Sequence, residues 1–146
     1  MQTLITYVAE DNPTVLSNLI ETLGEIAHLE VAAWSATESE TSRWLEWHEA
    51  NWHLAIVDLF LKQGTGLGIL AACRKRKSYQ KIVILTNYAT PEIRLRSAAL
   101  GADAVFDKST ELDDMLAYCI AHTRNLMQEP VPEAQGNAVA NKRLLN

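Results

Sequence analysis

Cysteine is scarce in this chain: among 146 residues there are two, Cys73 and Cys119. They lie far apart inside apolar helical patterns, with no paired metal-type spacing and no signal-peptide pattern ahead of them, so neither a disulfide framework nor a cysteine metal site is expected. The expectation is two buried, reduced thiols in a cytoplasmic protein. Long hydrophobic runs are also missing. No segment approaches the roughly 18 apolar residues of a spanning helix, so no membrane insertion is expected. Basic charge is low, with 13 Lys and Arg against 18 Asp and Glu, a net charge of -5 and a pI near 5.3. Proteins that coat nucleic acid neutralise phosphates with clustered Lys and Arg, so direct nucleic-acid binding is not expected. The one short basic run, Arg74 to Lys77, reads as a solvated helix end. His28, His48, His53 and His122 show no nucleophile partner or metal spacing and read as structural or surface residues.

What remains is ordinary globular material. Hydrophobic residues at 48% and charged residues at 21% give no sign of general disorder, and the length is that of one domain with a real core. Apolar runs and helical patterns alternate. Leu4 to Ala9 reads as a first strand, followed by the cap-and-proline pair Asn12-Pro13 and a helix through Ile26. Leu29 to Ala33 is a second strand, Thr37 to Asn51 a second helix, and Leu54 to Val57 a third strand. The glycine-rich segment Gly64 to Gly68 leads into a helix through Cys73 that ends in the basic run. Lys81 to Leu85 is a fourth strand. Thr90-Pro91 starts a helix that Gly101 stops, Ala104 to Asp107 is a fifth strand, and Ser109 or Thr110 caps a last helix. Strict alternation of this kind predicts an α/β fold with a doubly wound five-stranded parallel sheet. From about Gln128 the pattern fails, so 1–127 reads as the domain and 128–146 as a flexible tail.

Chemistry gathers at the strand ends. Glu10 and Asp11 close the first strand and Asp58 the third, while Thr86 follows the fourth and Lys108 the fifth. In an open parallel sheet ligands bind beyond the carboxyl ends of the strands, so these residues are expected to share one crevice. Three carboxylates, a hydroxyl and an ammonium suit Mg²⁺ and a phosphoryl group, with an aspartate as nucleophile. Trp44, Trp47 and Trp52 read instead as packing or partner surface.

With Glu10-Asp11, Asp58, Thr86 and Lys108 at those strand ends, and Gly66 eight residues beyond Asp58, the chain resembles the receiver domain of two-component response regulators over roughly Met1 to Leu126. The resemblance implies a flavodoxin-like (βα)5 fold with strand order 2-1-3-4-5. It implies that Asp58 accepts a phosphoryl group from a sensor histidine kinase or phosphotransfer protein. It further implies that Glu10, Asp11, Asp58 and the Phe60 backbone carbonyl hold Mg²⁺, with Lys108 and Thr86 contacting phosphoryl oxygens. Output would run through a downstream protein partner, with a homodimer left open.

Four positions depart from that family pattern. Ser109 follows Lys108 where proline is usual, so the bond between them is expected to be trans. Val105 stands three residues before Lys108 where an aromatic is usual, and the expectation is either that Tyr88 or Phe106 takes the aromatic's part or that the coupling is weaker. Lys62 and Asn87 replace a proline and a small residue. Three functions stay open: a single-domain receiver, a receiver cut from a longer regulator or hybrid kinase, and an Asp-nucleophile phosphatase. The last is disfavoured because Phe60 occupies the place of its general acid.

Overall fold

The computed structural model describes residues 3–128. Five strands, β1 (Leu4–Ala9), β2 (Leu29–Ser35), β3 (Leu54–Val57), β4 (Lys81–Thr86) and β5 (Ala104–Asp107), form one parallel sheet in the order β2-β1-β3-β4-β5. The helices between and after them are α1 (Pro13–Gly24), α2 (Glu38–Trp47), α3 (Gly66–Ala72), α4 (Pro91–Ala99) and α5 (Leu112–Met127). Strand β3 is buried at every position, which is why its sequence is an unbroken apolar run and does not alternate.

Two cores result, one on each face of the sheet. Leu19 and Leu23 of α1 and Met115 and Cys119 of α5 pack on Leu4, Val8, Leu54, Ile56, Val83 and Leu85. On the other face Leu45 of α2 and Ile69 and Leu70 of α3 meet Tyr7, Ala55, Val57, Ile82 and Ile84, with Ile93 of α4 at the margin. Val105 belongs to this second face and Phe106 to the first, where its ring meets Tyr118 at 5.9 Å. Phe106 therefore does not stand in for an aromatic at position 105.

Several element boundaries differ from the sequence reading. β2 runs two residues past Ala33, because its pairing with β1 continues through Val8↔Trp34 and Ala9↔Ser35 after a register shift at Thr6/Tyr7. Thr86 is the last residue of β4, paired with Asp107, and so lies inside the strand. α2 stops at Trp47, followed by a turn in which Glu49 has φ 47°. α3 ends at Ala72, so Arg74 to Lys77 lie beyond the helix. Arg76 is not solvated there: its guanidinium donates to the Cys73, Gln80 and Gly101 carbonyls and pairs with Asp103 at 2.8 Å. Cys119 is buried but Cys73 only partly so, and both thiols are free. The expected caps Asn12 and Thr90 accept helix amides, and Thr37, read as the first residue of the second helix, is the cap of α2. α5 is the exception: neither Ser109 nor Thr110 caps it, and Glu111 sits at its start without a side-chain bond to the helix. The segment read as a tail, apart from Gln128, lies outside the described residues. Among the described residues no helix is long and apolar enough to cross a membrane.

Candidate functional site

In the strand order 2-1-3, β1 and β3 are neighbours whose following connections leave on opposite faces, which opens a crevice at their carboxyl ends. The Asp58 amide donates to the Ala9 carbonyl at 2.9 Å and fixes Asp58 beside Glu10 and Asp11. Carboxylate oxygens of Glu10, Asp11 and Asp58 lie within 4.8 Å of one another. Lys108 reaches in from the end of β5, and its Nζ donates to Glu10 Oε1 and Asp58 Oδ2, both at 2.7 Å. The four charged side chains named from the sequence are thus brought together.

Their environments differ. Asp11 is exposed, whereas Glu10 is almost wholly buried and Asp58 largely so. Burial pushes the Glu10 carboxyl above its usual range, against the opposing hydrogen bonds from Lys108 and the Asn12 amide. Burial works against the Lys108 ammonium, but its hydrogen bonds to Asp58 and Glu10 outweigh that, and its pKa is raised. The lysine is firmly cationic and serves as a counter-ion to two acids at once.

Thr86 is fully buried at the end of β4. Its hydroxyl accepts the Tyr88 amide at 3.1 Å, and its carbonyl accepts the Lys108 amide at 2.9 Å, so the β4 and β5 loops are tied together at this residue. The Thr86 hydroxyl bonds to none of the four charged side chains. The Phe60 carbonyl accepts no hydrogen bond from any described residue, while its neighbours are engaged through Gly66 N–H to Leu59 O and Leu61 N–H to Gly64 O. Phe60 and Tyr88, both more than half exposed, meet edge to face at 5.0 Å between centroids.

The cluster of three carboxylates is an all-oxygen set. It fits a hard divalent cation such as Mg²⁺ and offers nothing to a thiophilic metal.

Two features escaped the linear reading. Glu38, at the start of α2, lies against the glycine-rich loop: its carboxylate accepts the Thr65 amide at 2.9 Å, and a Cβ on Gly64 or Gly68 would collide with its carboxylate oxygens. Those glycines therefore make room for an acid 27 residues from Thr65, a pairing with no local signal. The second is Arg94, whose guanidinium reaches the turn that carries Lys108. The only hint was Ser109, which leaves that turn without a stiffening proline. Two histidines carry hydrogen bonds within the fold: His53 Nδ1 accepts the Ile5 amide and His122 Nε2 lies 2.9 Å from the His53 carbonyl, while His28 is exposed. Among the tryptophans, Trp52 is core, Trp44 stacks on His48 and Trp47 is exposed.

Fold and site together define a doubly wound α/β unit whose crevice holds three carboxylates answered by one lysine. A model of the response regulator receiver domain matches residues 6–119, and the chain belongs to that family. It is 30% identical over 76 residues to the acid tolerance regulatory protein ActR of Rhizobium meliloti, which covers 52% of this chain and 39% of that protein. The photosynthetic apparatus regulatory protein RegA of Rhodovulum sulfidophilum is likewise 30% identical over 76 residues, covering 52% of this chain and 42% of the relative. The match spans about two-fifths of the length of these relatives. Among solved structures, the signal receiver domain of NarL from Mycobacterium tuberculosis superposes with a TM-score of 0.75 at 14% identity, over 85% of this chain and 98% of that one. The response regulator domain of Thermotoga maritima CheB gives 0.70 at 13%, over 88% and 100%.

Proposed function

We propose that this receiver takes a phosphoryl group on Asp58 from a phosphohistidine of a sensor histidine kinase or phosphotransfer protein, and signals through contacts with a downstream protein. The observation that carries this is Lys108, whose ammonium bridges Asp58 and Glu10 inside the acidic cluster. An Asp58 carboxylate oxygen attacks phosphorus, the phosphorus–nitrogen bond to the donor imidazole breaks, and an acyl phosphate forms. Lys108 pairs with a phosphoryl oxygen, and the Thr86 hydroxyl, whose oxygen accepts the Tyr88 amide, donates its proton to another. Glu10, Asp11, Asp58 and the Phe60 carbonyl would hold Mg²⁺, which supplies positive charge against which an anionic nucleophile can approach an anionic phosphoryl group. Residues 1–127 act as the receiver and 128–146 as a tail, in a cytoplasmic protein.

A second reading, in which the same receiver is one unit of a longer regulator, is favoured by the relatives being more than twice the length of the matched segment. The site chemistry is the same in both. Incubation with Mg²⁺ and acetyl phosphate should add a single phosphoryl group to the intact mass, and Asp58→Asn should abolish it. Full labelling of the Asp58→Asn variant would refute the assignment.

A further inference from the structure

The turn that carries Lys108 has Ser109 in place of a stiffening proline, yet it is tightly determined. Glu111 Oε1 accepts the Asp107 amide at 2.8 Å, and Asp107 Oδ1 accepts the amides of Ser109 at 2.7 Å and Thr110 at 3.2 Å. The Glu111 amide returns to the Asp107 carbonyl at 2.8 Å and closes the ring. The Glu111 side chain is thereby drawn away from capping α5. The same Glu111 oxygen accepts Arg94 Nη2 at 2.8 Å. Arg94 stands in α4 and spends its other donors on two more segments, Nη1 on the Val105 carbonyl of β5 at 3.0 Å and Nε on the Ala89 carbonyl of the β4–α4 loop at 3.2 Å. One planar guanidinium thus joins α4, the loop after β4, strand β5 and the Lys108 turn, a set of directions that a lysine's single ammonium would not match.

We propose that Arg94 and Glu111 are positioning residues that hold the Lys108 turn in register with Asp58 and carry its displacement to α4. The inference rests on the phosphoryl-accepting reading of the site. Phosphorylation pulls Lys108 toward the new charge. The amide of Asp107, directly before Lys108, is bound to the carboxylate that Arg94 grips, so the turn does not move without moving Arg94 or breaking its bonds. Side-chain exposure of 40% for Arg94 and 31% for Glu111 means that the ion pair itself adds little stability. Its loss therefore leaves the fold intact and registers in coupling.

The test uses the full chain, with amide NMR in Mg²⁺ before and after beryllofluoride, a phosphoryl mimic, and intact-mass time courses with acetyl phosphate. In the unsubstituted chain shifts are expected both around Asp58 and along Pro91 to Ala99. In Arg94→Ala the shifts around Asp58 should persist, while those along α4 fall by about threefold or more. Glu111→Ala should do the same and also slow labelling by roughly tenfold, because Lys108 is then less well placed. Glu111→Gln, which still accepts both hydrogen bonds, should lie between, and the double alanine variant should be no worse than Glu111→Ala, as expected of residues acting in one network. Shifts along α4 of unsubstituted size in Arg94→Ala, or strictly additive effects in the double variant, would overturn the proposal. Absence of any response in the unsubstituted chain would overturn the phosphoryl-accepting reading itself, and this inference with it.

Discussion

Gly66 shows what a single residue contributes to this site. Its backbone is not in a left-handed conformation; what it needs is space, since a Cβ there would lie 2.6 Å from the Asp58 carbonyl oxygen and 3.0 Å from Val57 Cγ1. Both obstacles are buried and rigid, so Gly66→Ala must push β3's end away from α3. Overpacking of this kind costs about 1–3 kcal/mol, and urea unfolding of the variant should show a loss in that range. Unchanged stability would mean that the close approach is relaxed in solution. The glycine was legible in the sequence by its distance from Asp58, and Glu10, Asp11, Asp58 and Lys108 were legible because each follows an apolar run that could only be a strand. Arg94, Glu111 and Glu38 were not. A charged residue on a helix reads as solvated unless its partner is known, and these partners lie 17 and 27 residues away.

At the scale of elements, the starts of α1, α2 and α4 were legible because Asn12, Thr37 and Thr90 accept amides of their own helices. The start of α5 was not, since hydrogen bonds across the turn and to α4 win over local capping. The base of β3 carries a further long-range device. His53 Nδ1 accepts the Ile5 amide of β1, its carbonyl accepts the Lys81 amide of β4, and His122 Nε2 of α5 sits 2.9 Å from that carbonyl. An imidazolium cannot accept, so protonation of His53 breaks the bond to β1. Burial, and then the charge of His122, hold the His53 pKa below its ordinary value. A base whose folded pKa is depressed contributes stability that is complete above its unfolded pKa of about 6.5 and is lost as pH falls toward the folded value. Urea midpoints should therefore drop between about pH 7.5 and about pH 5.5, and His53→Gln should flatten that part of the profile. An identical slope in the variant would shift the cause to other groups.

For the molecule as a whole, strict strand–helix alternation was enough to read a doubly wound sheet, and the sheet order then determines which strand ends meet. The consequence is electrostatic. β1 and β3 bring three carboxylates within 4.8 Å, and β5 answers with one ammonium, which leaves two negative charges uncompensated when all are ionised. The Glu10 pKa is displaced upward chiefly by burial, and the Asp58 charge adds to that displacement. Folding assembles this repulsion, and unfolding disperses it, so a divalent cation that fits the cluster binds the folded chain selectively. At a hundredfold excess over its Kd such a ligand stabilises by about 2.7 kcal/mol, which for a chain of this size raises Tm by roughly 10 °C. Mg²⁺ titration followed by thermal unfolding should show that rise. Asp11→Asn should remove most of it, and because Asp11 is exposed the variant should keep the fold. NaCl at matched ionic strength should give only a small part of the increase, since screening relieves repulsion without occupying the crevice. If NaCl reproduced the whole rise, or if Asp11→Asn kept it, the acids would be a repulsive cluster that salt merely screens, and the ends of β1 and β3 would not form a metal site.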